Sequence, residues 1–143
     1  MYRRILLAYN GSQHSEDALR QATEMAKQCD ADLHLLAIAQ SMPGSITLAE
    51  PYGYDFLSGN KSDLEVHLNQ AFKNLQSEGL QCSATVREGN PAIEIAKCAE
   101  AIAADLIIVG HSDKGFIARW LEGSVGAELV RNLPCSLLIA TKA

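Results

Sequence analysis

The chain has 143 residues, 48% of them apolar and 20% charged, with four cysteines and a formal net charge of −5. That length and balance describe one ordinary domain whose core needs neither metal nor disulfide. The acidic excess without a Lys/Arg stripe argues against a nucleic-acid binder, yet a few backbone N–H groups suffice to hold a small anion.

The apolar run Ile5–Tyr9 follows Arg3-Arg4 and stops at Asn10-Gly11-Ser12, as a buried strand ending in a turn does. It is too short for the core of a signal peptide, and no segment approaches the roughly 18 apolar residues of a membrane span. A cytosolic location is expected. From Ser12 to Gln28, apolar residues at Ala18, Leu19, Ala22, Met25 and Ala26 recur at helical spacing, with Ser12 or Ser15 available as the cap. Leu33–Ala39 reads as a second strand. The stretch Gln40–Gly59, with Pro43, Gly44, Pro51, Gly53 and Gly59, reads as a long loop, of a length that in compact domains tends to be functional or mobile.

Leu64, Leu68, Ala71, Phe72 and Leu75 mark a second helix that ends near Gly79. Cys82–Val86 alternates as a third strand, and Gly89-Asn90-Pro91 opens a third helix with proline where its missing N–H costs nothing. Leu106–Val109 predicts a fourth strand, Gly123–Arg131 a fourth helix, and Ser136–Ala140 a last strand. Strands that are plain apolar runs, alternating with helices, predict an α/β fold: a doubly wound parallel sheet with helices on both faces. Ligands of such sheets sit beyond the carboxyl ends of the strands, where strand order reverses.

Two of those ends are rich in glycine and hydroxyl groups. The first strand runs into Asn10-Gly11-Ser12; the fourth runs into Gly110-His111-Ser112-Asp113-Lys114-Gly115, and Gly123-Ser124-Val125-Gly126 opens the next helix. Glycine lets backbone donors approach phosphate oxygens, and a helix start adds partial positive charge; the same residues also serve as plain turns and caps. A P-loop, a dinucleotide-binding fingerprint and a nucleophile elbow are all missing from the sequence. The cysteines Cys29, Cys82, Cys98 and Cys135 have no ligand spacing and are expected as reduced, buried thiols. His14, His34, His67 and His111 share no metal-ligand spacing either, and none has an evident Ser or Cys to activate as a nucleophile; His34, within a strand, is expected to be structural.

Several segments together resemble the universal stress protein family: Ile5–Ser15, Ala31–Ile38, Gly89-Asn90-Pro91, Asp105–Gly110, and a spacing from Gly110 to Gly123-Ser124 that fits the nucleotide signature G-x2-G-x9-G-[ST]. The resemblance spans nearly the whole chain. It implies a single five-stranded sheet in the order 3-2-1-4-5 and a site for an adenine nucleotide (ATP, with AMP or ADP as alternatives). Carried over by position, Ala8 and Asn10 border the adenosine, Ile38 packs near adenine, Gly110 passes under ribose and phosphates, and Gly123, Ser124 and Val125 hold phosphate oxygens. The resemblance also implies a homodimer formed through Ser136–Ala140, an apolar sheet edge of the kind that invites pairing.

Two positions depart from the family pattern. Asn10 stands where the family has aspartate, so an acceptor is kept and a charge that would help hold a divalent cation is lost. Asp113 stands at the second glycine of the signature and sets a carboxylate against the phosphates, which favours AMP or ADP over ATP. The expected role is regulatory or stress-responsive, with at most slow ATP hydrolysis, because no general base is evident. The alternatives are a dimeric regulator of the same fold that binds no nucleotide, and a weak ATP hydrolase.

Overall fold

The computed structural model describes residues 1–39, 61–111 and 130–141. In chain order they form β1 (Arg4–Ala8), α1 (Gln13–Cys29), β2 (Asp32–Ala39), α2 (Lys61–Ser77), β3 (Cys82–Glu88), α3 (Pro91–Ile102), β4 (Leu106–Gly110) and β5 (Ser136–Ala140). The five strands make one all-parallel sheet in the order β3-β2-β1-β4-β5, as expected. Residues 130 and 131 are helical; the rest of the expected fourth helix and the stretch Gln40–Gly59 lie outside the described residues. Among the described residues, no helix is long and apolar enough to cross a membrane.

Each strand of the sheet's centre feeds two cores at once. Ile5, Leu7, Leu33, Leu35, Leu106 and Ile108 point to one face and pack with Ala18, Ala22 and Ala26 of α1 and Leu64, Leu68 and Leu75 of α2. Leu6, Leu36, Ile107 and Val109 point to the other and pack with Ala92, Ile95, Cys98 and Ala99 of α3. This period-two division explains why the strands read as unbroken apolar runs: both of their faces are dry. Removing each large side chain from water contributes about 1.5–3 kcal/mol. The three α1 alanines, spaced four apart and fully buried, let that helix lie close to the sheet.

Local signals set most of the element ends. Ser12 caps α1, its Oγ accepting the Ser15 N–H at 3.3 Å, and Asn90 caps α3, its Oδ1 accepting the Ile93 N–H at 3.2 Å with Pro91 next to it. The C-terminal ends follow a rule that the sequence hides. Asp30 and Ala103 close α1 and α3 in the left-handed conformation at φ 55°, where glycine is the usual residue. At the start of the sheet the Asp105 carboxylate accepts the Arg3 and Arg4 backbone N–H groups at 2.9 and 3.1 Å, joining β4 to β1 before their ladder begins.

One expectation about side chains needs correction. Only Cys98 is fully buried; Cys29, Cys82 and Cys135 are half-buried, since they sit at a helix end and on the two flanks of the sheet, where cover is thinner. All four are free thiols. Two surface ion pairs add to the fold: Arg87 pairs with Glu94 at 3.5 Å and Lys27 with Glu78 at 2.6 Å. The second pair is exposed and adds little stability.

Candidate functional site

Strand order reverses between β1 and β4. From β1 the chain winds outward through β2 to β3, and the later strands β4 and β5 add to its other side. In open parallel sheets of this kind, the carboxyl ends of the two strands at such a reversal border the place where ligands bind.

Four of the expected site residues fall among the described ones and meet at that end of the sheet. Ala8 closes β1, Ile38 is the penultimate residue of β2, and Gly110 closes β4. Ala8 and Ile38 belong to the same core face as Val109 and are only 8% and 4% exposed, so they form an apolar floor at the strand ends. Asn10 lies just past β1 and is half-buried. Asp113, Gly123, Ser124 and Val125, which would meet the phosphates, lie outside the described residues, as do Ser112, Lys114 and Trp120.

The turn after β1 is tied by its own polar groups. Asn10 Oδ1 accepts the Ser12 N–H at 2.9 Å, and the Asn10 N–H donates to Ser15 Oγ at 3.3 Å. Ser15 is 5% exposed, and its hydroxyl donates to the Ser12 carbonyl at 2.9 Å. An asparagine that bridges its own backbone two residues on makes a compact turn with φ > 0 in its middle, and Gly11 supplies that angle at φ 85°. The carboxamide oxygen expected to face a ribose hydroxyl thus has a first role in shaping the turn.

Gly110 has a role the sequence did not disclose. A Cβ added there would lie 2.4 Å from the His14 carbonyl oxygen, so the first turn of α1 rests directly on the end of β4. The glycine allows this contact whether or not a ligand passes by. His111, next in the chain, is exposed and donates its N–H to the Ala140 carbonyl at 2.9 Å, which extends the β4–β5 ladder.

Sequence reasoning missed two further residues near the carboxyl ends of the strands. Tyr9 is 5% exposed, and its hydroxyl donates to Glu16 Oε2. Burial, then the hydrogen bond and the negative charge of Glu16, push its phenol well above the usual tyrosine range. The pair was legible only as two residues seven apart across a strand-to-helix turn. The second is His67 of α2, whose ring lies against Gly11; no spacing signal links positions 67 and 11.

Three hollows among the described residues lie at the amino ends of the strands. A small one, about 170 Å³, is lined by Arg4, Asp32, His34 and Ser83 together with Ile5 and Ile102. His34 Nδ1 lies 2.6 Å from Ser83 Oγ, in register across β2 and β3, while its Nε2 is buried without a partner. Burial and then the positive charge of Arg87 hold this imidazole below its ordinary pKa, which favours its neutral form. No group of three or more metal-ligating side chains occurs among the described residues.

The family model described as the universal stress protein family matches residues 1–141. The chain belongs to that family. It is 29% identical over 143 residues to a universal stress protein of Methanocaldococcus jannaschii, covering 99% of this chain and 84% of the relative. It is 33% identical over 140 residues to a putative universal stress protein of Staphylococcus aureus, covering 96% and 83%. Among solved structures it resembles a universal stress protein in complex with cAMP, with a TM-score of 0.72, 22% identity and 99% of both chains covered. It also resembles an Arabidopsis thaliana family member with AMP bound, with a TM-score of 0.67, 18% identity, and 99% and 92% covered. At those identities the structural likeness establishes the fold.

Proposed function

We propose that this universal stress protein binds an adenine nucleotide at the carboxyl ends of β1, β2 and β4 and acts as a nucleotide-responsive regulator rather than as an enzyme. The observation that carries the reading is the pairing of an apolar floor with a polar turn at the reversal of strand order. Ala8 and Ile38 offer flat, dry contact for a purine, and the Asn10-Gly11-Ser12 turn stands beside them with amide and hydroxyl groups for a ribose. Two family members of the same fold, named above, are described with cAMP and with AMP bound, which supports an adenine ligand here. In sequence, Gly123-Ser124-Val125 supplies phosphate donors and Asp113 opposes a long phosphate chain, so AMP or ADP is the favoured ligand over ATP.

The β5 edge is the proposed contact between two copies. Leu137, Leu138 and Ile139 are half-covered, and β5 pairs only with β4 among the described strands. A second reading, a dimeric regulator of this fold with no nucleotide, is favoured by one observation: Asn10 Oδ1 already accepts the Ser12 N–H.

Thermal melts with millimolar AMP, ADP, ATP and cAMP separate the two readings. The nucleotide reading expects a melting temperature that rises with AMP or ADP more than with ATP, and a gain in ATP affinity in Asp113→Gly. A melt indifferent to all four ligands supports the second reading.

A further inference from the structure

The candidate site has a wall that neither the glycine signature nor the strand ends supply. Gly11 lies at φ 85° in the middle of the turn after β1, and the three heavy atoms nearest to a Cβ built on it all belong to the His67 imidazole: Cγ at 2.7 Å, Cδ2 and Nδ1 at 3.0 Å. The ring therefore rests on the bare Cα of Gly11. Its backbone is in α2, whose buried residues Leu64 and Leu68 anchor the helix to the α1 face of the sheet, while His67 itself is exposed. An exposed imidazole laid on a glycine does not add to the core. What it does is remove one side of the turn from the space the turn can explore.

That restriction matters because glycine is the residue with the widest backbone freedom. The Asn10–Ser12 hydrogen bond closes the turn, yet it leaves Gly11 as a hinge between a rigid strand and a rigid helix. We infer that His67 is a positioning residue of the nucleotide site: its ring, packed on Gly11, holds the Asn10-Gly11-Ser12 turn in the form that receives the ribose, so α2 and the turn are mechanically joined. This rests on the nucleotide reading above for its consequence, though the contact itself does not. It also gives Gly11 two reasons to be glycine, the positive φ and the space the imidazole fills.

The experiment uses the full chain, labelled with ¹⁵N, as wild type, His67→Ala and His67→Phe, with AMP as the probe. Phenylalanine keeps a flat ring over Gly11 and removes both ring nitrogens. In His67→Ala the backbone amide signals of Asn10, Gly11 and Ser12 are expected to move, the melting temperature to stay near wild type, and AMP to bind about five- to tenfold more weakly, the scale of ordering a loose segment on binding. His67→Phe is expected to restore the affinity, an effect that a change of ring current on the amide signals cannot mimic.

Unmoved amide signals in His67→Ala would overturn the inference, and so would unchanged AMP affinity despite moved signals. Wild-type protein that fails to bind AMP defeats the nucleotide reading instead. The amide signals then decide the contact on their own, displaced signals supporting it and undisturbed ones overturning it.

Discussion

Gly110→Ala places a methyl group where the structure has a helix backbone. The new Cβ would lie 2.4 Å from the His14 carbonyl oxygen, 2.8 Å from its carbon and 3.3 Å from the Ser15 nitrogen. Ordinary contact requires these groups to part by about 1 Å. None of the three obstacles is the end of a pliant side chain, so the first turn of α1 must lift. Lifting it strains the Ser12 cap, the Asn10–Ser15 bond at 3.3 Å and the α1 alanine face. Overpacking of this kind costs about 2–3 kcal/mol. With an unfolding entropy of about 2.1 cal/mol/K per residue, a chain of this length should lose roughly 7–10 °C in melting temperature. Gly79→Ala is the internal control, since that glycine has φ 82° but nothing within 4 Å, and it should cost about 1 kcal/mol from backbone strain alone. The two variants, melted side by side by circular dichroism, separate crowding from strain. A Gly110→Ala protein that melts within a degree or two of wild type would refute the close approach of α1 to β4.

Two predictions concern buried ionisable groups. His34 is held neutral in the folded protein, whereas the unfolded chain takes up a proton near pH 6.5, so its contribution to stability is present above that pH and is lost as the pH falls below it. Melting temperatures from pH 7 to pH 5 should fall more steeply for wild type than for His34→Gln; parallel curves would show that the ring is not buried as described. Tyr9 behaves in the opposite sense, because a phenol raised by burial and Glu16 keeps its proton while the unfolded one ionises near pH 10, and stability is lost as the pH rises beyond that value. Native protein at alkaline pH should therefore show one tyrosinate fewer by ultraviolet absorbance than denatured protein. Glu16→Ala, which leaves the buried hydroxyl without its acceptor, should cost about 1–3 kcal/mol, and Tyr9→Phe less. Equal tyrosinate counts would argue against the Tyr9–Glu16 bond.

Much of this architecture was readable in advance because the sheet is dry on both sides. A strand such as Leu106–Val109 has no polar alternation to misplace, and the helices between the strands carry their apolar residues on one stripe, so element order and parallel class followed from periodicity. Strand order came from the family resemblance and not from periodicity. Strand ends were less legible. β3 continues through Arg87 and Glu88 because it pairs with Ile38 and Ala39 of β2, a cross-strand fact invisible in a polar dipeptide. The ends of α1 and α3 were hidden for another reason: Asp30 and Ala103 take the left-handed conformation without the glycine that would announce it.

The candidate site was legible in its place on the sheet and not in its mechanics. Ala8, Asn10, Ile38 and Gly110 lie at one edge because a parallel sheet brings all its carboxyl ends there. What Asn10 and Gly110 do locally was not visible. One bridges its own backbone and the other admits a carbonyl of α1, and both facts depend on how a helix docks after a turn. The placement of His67 on Gly11 depends in turn on the rotation of α2 about its axis, which its apolar stripe defines only to within a side chain's reach.

Calorimetric titration of the purified, ligand-stripped protein with AMP and ADP, followed residue by residue through its backbone amide signals, measures the ligand and its location together. Saturable binding that moves the signals of Ala8, Asn10, Ile38 and Gly110 and leaves those of Asp32 and His34 at the other end of the strands in place is the expected result. Binding that perturbs the amino ends instead, or no heat and no movement at millimolar ligand, would contradict a nucleotide site at the reversal of strand order.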